Sequence, residues 1–321
     1  MKAAVFNQYG SPKVLQLQEV EKPTPKDNEV LVKIHATAVN DYDWSMIRGK
    51  PFLYRLMFGL LRPRKNIPGM ELSGVVVSTG KKMTSFKAGD AVYGDISEHG
   101  FGSFAEYICI DEKALTLKPN NMSFEEAASI PHAAALALQG LVDIGQIQNG
   151  LKILINGAGG GVGTLGLQLA KLYCAEVTGV DSGDKLEMMK SIGFDYTIDY
   201  QTEDFTKSGQ RYDLILDTKT NRSTFSYLRS LKPNGKYVTV GGKLPHLLHA
   251  LFFRRVIHLF SRKRVHIIGL KTNKDLNYIN ELFESEKIKP IIDGPYPLSE
   301  AAIAVQRFGK GVHRGKVVIS I

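Results

Sequence analysis

Short alternating and apolar runs fill the first 120 residues of the chain. Residues 14–17, 29–34, 73–78 and 104–110 pattern as strands set apart by Gly, Pro and Asn turns. The period changes at Ser123, which stands three residues before Glu126 in a capping-box pattern that opens an Ala-rich helix. Five candidate strands at 152–156, 176–180, 196–199, 213–217 and 236–240 then alternate with helical spacing. Four of the five are short apolar runs of the kind buried on both faces of a parallel sheet. The predicted fold class is therefore α/β, with a doubly wound parallel sheet following a mainly-β region. Beyond Gly269 the pattern gives a helix at 274–285, an extended stretch at 288–298, a short helix and a last strand at 316–319, a tail able to return to the first region.

The 321 residues are 43% hydrophobic and 23% charged, enough apolar material for two ordinary domains, and this excludes disorder, collagen and coiled coil. No run approaches the roughly 20 apolar residues that span a bilayer, and residues 1–6 read as a strand and not as a signal-peptide core. Cys109 and Cys174 form no paired motif, so neither a disulfide framework nor a multi-cysteine zinc lobe is expected. These features predict a cytoplasmic protein. The net charge of +9 is concentrated in two acid-free segments, residues 50–65 with five Lys/Arg and residues 243–264 with six. No nucleic-acid recognition module accompanies them. Both segments mix Leu and Phe with Arg, which fits a helix with one buried face and one solvated basic face. An anionic substrate, an acidic partner or weak contact with a membrane surface is the alternative.

The strongest chemical signal is the loop at residues 157–163 (GAGGGVG), between the apolar strand 152–156 and a helix patterned by Val162, Leu165, Leu169 and Leu172. Gly157, Gly160 and Gly163 permit a tight turn, close approach of a pyrophosphate and close helix–strand packing, while Ala158, Gly161 and Val162 complete the cradle. Free N–H groups and the positive end of the helix dipole then face the phosphates. No Lys-Ser/Thr follows the glycines, which argues against a nucleoside triphosphatase loop. At the end of the second strand, Asp181 lies where an acid bonds the ribose hydroxyls of NADH. Ser182 and Lys185 beside it suit a 2′-phosphate, so these residues leave NADH and NADPH both open.

Taken together with residues 1–4 (MKAA), 10–17 (GSPKVLQL), 29–33 (EVLVK), 39–43 (VNDYD) with Arg48 and Gly49, 68–74 (PGMELSG), 89–92 (GDAV), 102–107 (GSFAEY) and 315–318 (GKVV), the glycine loop resembles the medium-chain dehydrogenase/reductase superfamily. Within it the chain is similar to the zinc-free quinone-oxidoreductase-like branch. The resemblance covers essentially the whole length. It implies a GroES-like catalytic domain over residues 1–123, a Rossmann domain over 124–268 and a C-terminal return over 269–321. Asn40 and Met70 stand where zinc-dependent relatives carry Cys and His, so no zinc is expected. Tyr42 stands at the place of their proton-relay hydroxyl and is the first candidate acid. Asn40 would donate from its amide, Tyr54 is a second hydroxyl, and His132 matches a segment facing the nicotinamide. Thr239, Val240 and Gly241 match positions at the nicotinamide ribose. Tyr200 and Lys185 match contacts to the 2′-phosphate, which tilts the expectation slightly toward NADPH.

The expected activity is zinc-independent hydride transfer from NAD(P)H to a small apolar α,β-unsaturated carbonyl or quinone. An alcohol or aldehyde oxidoreductase is the alternative chemistry, ranked lower because Asn40 is a poor base without a metal. From another class comes a nucleotide-sensing protein acting at a membrane or partner surface through the basic segments. The edge strand at 265–270 admits a homodimer.

Overall fold

A computed structural model describes residues 1–321, which divide into two compact units. The first comprises Met1–His132, Thr272–Ser285 and Pro290–Ile321; the second comprises Ala133–Lys271 and Glu286–Lys289.

The first unit is built on a seven-stranded sheet. Its central strand, Glu29–Ala38, pairs antiparallel with Glu71–Thr79, Tyr107–Asp111 and the C-terminal strand Lys316–Ser320. The last pairing places Val318 opposite Ala38, so residues from the two ends of the chain complete one sheet. Val30, Val32, Ile34, Leu72 and Val92 fill a core on one face. A separate ribbon joins Lys2–Val5 to Gln16–Glu19. Where a strand was expected at 14–17, the chain first makes a 3₁₀ turn at Pro12–Val14; Pro12 has no N–H to give a ladder and starts the turn instead.

In the second unit, six strands lie parallel in the order Tyr196–Asp199, Glu176–Asp181, Lys152–Asn156, Tyr212–Asp217, Leu231–Thr239, Arg264–Ile267. This is the doubly wound order, and its direction reverses between Lys152–Asn156 and Tyr212–Asp217. Ligands of such sheets bind at the carboxyl ends of the strands flanking that reversal. Ile153, Leu154 and Ile155 are wholly buried, which is why that strand reads as an unbroken apolar run. The helix Gly161–Lys171 follows it, packing Leu165, Leu167 and Leu169 inward.

The basic segments both contain helices, Leu53–Phe58 and Leu244–Phe260, and both expose apolar side chains as well as basic ones. The longer one buries Ala250 and Ile257 while its outward positions are mostly Leu, Val and Phe. No helix in the chain is long and apolar enough to cross a membrane.

Candidate functional site

The glycine loop turns at Gly157, whose φ of +86° is a left-handed value; a Cβ there would stand 2.1 Å from Thr218 Oγ1. At Gly163 a Cβ would meet the Ala158 backbone at 2.5 Å, so the helix can approach the strand only with glycine here. Thr164 N–H makes the first intrahelical bond, to the Gly160 carbonyl. The N–H groups of Gly161, Val162 and Gly163 precede that bond and face no helical carbonyl. Partly exposed Gly160, Gly161 and Val162 thus form the open mouth of a phosphate cradle, and Ala158 is buried behind it. The residues present fit a dinucleotide pyrophosphate.

The second strand ends in a buried ion pair. Lys185 Nζ lies 3.1 Å from Asp181 Oδ1, and both side chains are almost fully buried. Asp181 Oδ2 accepts from Gly159 N–H at 2.8 Å, and Oδ1 accepts from Ser182 N–H at 2.9 Å. Asp181 is therefore committed to shaping the glycine loop, and the Lys185 ammonium neutralises it. Ser182 is half-buried, and Tyr200 is 46% exposed. Beside the loop, Thr218 donates its N–H and hydroxyl to the Asn156 carbonyl, each at 3.0 Å. Asp217 gathers the N–H groups of Lys219 and Thr220, the Asn156 amide and the Tyr237 hydroxyl. Thr220 and Thr239 are bonded hydroxyl to hydroxyl, and Thr220 also donates to the Gly241 carbonyl at 2.6 Å. Val240 N–H donates to the Asp217 carbonyl, so Thr239, Val240 and Gly241 are tied to the strand end beside the loop. The Thr218–Thr220 turn was not expected from the sequence; a polar triplet at the end of a parallel strand next to the glycine-loop strand is the signal that finds it.

In the first unit a second polar cluster surrounds Asn40. Its amide nitrogen donates to Glu71 Oε2 at 2.7 Å, and its amide oxygen accepts from Lys316 Nζ at 2.5 Å. Lys316 also pairs with Glu71 at 2.7 Å. All three side chains are buried, so Asn40 is an internal crosslink whose amide is held by protein groups. His132 donates its backbone N–H to Glu71 Oε1 at 2.7 Å, and its Nδ1 lies 2.8 Å from Asp95 Oδ2. The His132 ring is nearly buried, and its bond to His132 keeps the Asp95 carboxyl below the usual range against the cost of burial. Met70 is wholly buried.

Tyr42 sits in the first turn of the helix Asp41–Arg48 and is 38% exposed, with its ring against Tyr54 and Phe101. Tyr54 is half-buried, and burial pushes its phenol up to about 12, so it stays protonated under working conditions. Tyr42, Tyr54, Phe58 and Phe101 make an aromatic patch with two hydroxyls. Such a patch can pack a flat apolar molecule and give it a proton.

Below Tyr42 the fully buried Asp43 accepts from Asn40 N–H at 2.9 Å and Gly69 N–H at 2.8 Å. Burial nevertheless pushes its carboxyl from 3.8 up to about 7. Across this interval the folded chain keeps a proton that the unfolded chain has released. The contribution to stability is therefore full below the unfolded value and is lost as the pH rises through about 7. At 1.36 kcal/mol per unit, the span is about 4 kcal/mol. Asp95 and Asp293, whose carboxyls are held down, act in the opposite sense and only at more acid pH. The thermal stability of the wild type should accordingly fall between about pH 4 and 7, and Asp43→Asn should lose that slope. Its overall stability should also drop, because an amide N–H₂ would face a backbone N–H. Parallel curves for the two proteins would exclude Asp43 as the source.

The second unit is a doubly wound sheet with a glycine cradle, and the first is a mainly-β unit carrying hydroxyl and imidazole groups; together these are the parts of a dinucleotide-dependent oxidoreductase. Residues 26–120 match the family model described as an alcohol dehydrogenase GroES-like domain, and residues 192–319 match that of a zinc-binding dehydrogenase. The chain is 35% identical over 99% of its length to a 2-methylene-furan-3-one reductase from Solanum lycopersicum, covering 79% of that protein. It is 34% identical, over the same shares, to an NADPH-dependent alkenal/one oxidoreductase, chloroplastic, of Arabidopsis thaliana. The solved quinone oxidoreductase from Coxiella burnetii superposes with a TM-score of 0.87 at 29% identity, covering 100% of this chain and 99% of that one. The chain belongs to the medium-chain dehydrogenase/reductase superfamily, in its quinone-oxidoreductase branch.

Proposed function

We propose that this protein reduces an electron-poor carbon–carbon double bond conjugated to a carbonyl, in an enone or a quinone, with NADPH as the hydride donor. The relatives named as a furanone reductase and an alkenal/one oxidoreductase support this substrate class. The single observation that carries the reading is the open glycine cradle of the second unit; on the first unit, Tyr42 in its aromatic patch is the candidate donor.

When bound, the nicotinamide supplies a hydride to the β-carbon and is oxidised in doing so. Gly161, Val162 and Gly163 would hold the pyrophosphate by their N–H groups, and Thr239, Val240 and Gly241 would hold the nicotinamide ribose. The carbonyl oxygen gathers negative charge as the enolate forms, and a hydroxyl donor there lowers the barrier. Tyr42 is that donor and completes the reduction by giving its proton; Tyr54 packs against it as the second hydroxyl. In this scheme His132, bonded to Asp95, is assigned renewal of the proton, and Asn40 acts as a positioning residue through Glu71 and Lys316.

Zinc plays no part in this scheme. Asn40 and Met70 offer an amide and a thioether where a metal site needs thiolate and imidazole, and the Lys316 ammonium already sits on the Asn40 oxygen. A cation cannot be added there without expelling another.

NADPH is preferred because Lys185 cancels the charge of Asp181, which would otherwise repel a 2′-phosphate, while Ser182 and Tyr200 offer hydroxyls to it. Titrations with NADPH and NADH, followed by nicotinamide fluorescence, should show tighter NADPH binding. Oxidation of NADPH by simple enones and quinones should follow, with ethanol and simple aldehydes inert. In Lys185→Met the freed Asp181 charge should cut the NADPH-to-NADH affinity ratio by about tenfold, roughly 1.4 kcal/mol. The variant should also unfold at lower temperature, since breaking a buried pair costs about 3–5 kcal/mol. Failure of both nucleotides to bind would overturn the proposal, and an unchanged ratio would overturn the role of Lys185.

A further inference from the structure

The helix Leu244–Phe260 runs 17 residues, about 25 Å, along the second unit. A helix on the surface of a soluble domain ordinarily buries its apolar side and turns charge outward. This one turns apolar side chains outward as well. Leu244, Leu248, Phe252, Val256 and Leu259 follow one another at intervals of three or four residues, and Phe260 ends the row, with exposures from 42% at Leu244 to 86% at Phe260. An uninterrupted apolar row of this length is far beyond the scattered exposed residues that any protein surface carries.

The charge within the segment that carries this row has one sign. Lys243 precedes it, Arg254 and Arg255 lie midway, and Arg262, Lys263 and Arg264 follow it, with no Asp or Glu anywhere in residues 243–264. Burial first, and then nearby cations including Arg254 and Arg264, hold the imidazoles of His258 and His266 below their usual range.

We propose that the outward face of this helix is a docking surface for an anionic lipid bilayer, with the apolar row entering the headgroup–acyl boundary and the flanking cations meeting lipid phosphates. Three features select this occupant. The helix carries cations before, beside and after its apolar row, the arrangement by which a helix lies in a membrane interface. Arginine can rest its stem along apolar surface while its head reaches phosphate. A second copy of the chain across a two-fold axis would instead set this cationic segment against itself with no carboxylate to meet it.

The test is sedimentation of the full-length protein with vesicles of phosphatidylcholine, with and without phosphatidylserine, at low and high salt. Binding is expected only with phosphatidylserine and should weaken as salt rises. Arg254→Gln/Arg255→Gln should lower partitioning by roughly twenty- to thirtyfold, at about 1 kcal/mol for each basic residue near an anionic surface. Phe252→Ser/Phe260→Ser should lower it as strongly. Both double variants should bind NADPH like the wild type, which shows that the second unit is folded. Residues 50–65 also expose apolar side chains, with Leu61 at 85%, so Leu61→Ser is the comparison variant. Loss of binding in Leu61→Ser with retention in the helix variants would overturn the assignment. So would absence of binding to phosphatidylserine vesicles, binding to polyglutamate alone, or a lipid-free dimer that Phe260→Ser dissociates.

Discussion

Gly157→Ala is expected to weaken dinucleotide binding by more than about a hundredfold, equivalent to roughly 2.7 kcal/mol, while Gly150→Ala leaves binding intact. The two glycines separate two costs. Both have left-handed φ, +86° at Gly157 and +74° at Gly150, so alanine meets backbone strain of about 1–2 kcal/mol at either. A Cβ at Gly150 meets nothing within 4 Å, whereas at Gly157 it would lie 2.1 Å from Thr218 Oγ1 and 2.9 Å from Lys219 Cε. Thr218 cannot retreat freely, because its N–H and hydroxyl both bond the Asn156 carbonyl. The loop must move instead, and with it the N–H groups that would hold the pyrophosphate. Thermal melting should drop in both variants, and NADPH titration should fail only in Gly157→Ala. Equal affinity in the two would mean that residues 157–163 are a packing turn and not a phosphate cradle.

The legible parts of this molecule are those whose physics is local. Strands such as Lys152–Asn156 and Tyr196–Asp199 have observed limits identical to those expected, because their flanking turns punctuate the pattern sharply. The glycine loop is equally local, since strand, turn and helix follow one another within some twenty residues. Ser123 caps its helix as the capping box requires, receiving the Glu126 N–H while Glu126 reaches back to the Ser123 N–H.

What the sequence hides is whatever depends on distant partners. Glu71, Asp95 and Lys316 each read as a lone charge at the end of a strand, yet all are buried and face Asn40 or His132. A charged residue set directly beside fully apolar neighbours, as in Met70-Glu71-Leu72 or Lys316-Val317, is the one available sign of such pairing. Asn40 shows the consequence most clearly: an amide expected to face substrate has both ends held inside the protein. Lys185 is similar, since its stem is buried and its ammonium is turned to Asp181. The helix Leu244–Phe260 is hidden for the opposite reason. Apolar residues all around a helix imply full burial, and only the structure shows that one side remains uncovered.

Tyr42→Phe is expected to lower kcat for enone reduction by about a hundred- to ten-thousandfold, the range of a positioned general acid, with NADPH affinity unchanged. The substitution removes one oxygen and nothing else that matters to packing. Phenylalanine keeps the ring that meets Tyr54 and Phe101, and because Tyr42 is 38% exposed, water takes over the vacated space without leaving a buried donor unmet. Stability should thus stay within about 0.5 kcal/mol of the wild type, as for other surface changes. KM should also hold, since a donor that acts on charge developing in the transition state contributes little to the ground state. Tyr54→Phe gives the contrasting result: its hydroxyl is half-buried and bonded to Ser45, so its loss should cost about 1 kcal/mol of stability and far less turnover. A wild-type solvent isotope effect on kcat that disappears in Tyr42→Phe would indicate that protonation no longer passes through the phenol. Undiminished turnover in Tyr42→Phe would remove it from the mechanism and leave His132, oriented by Asp95 at 2.8 Å, as the group to replace next.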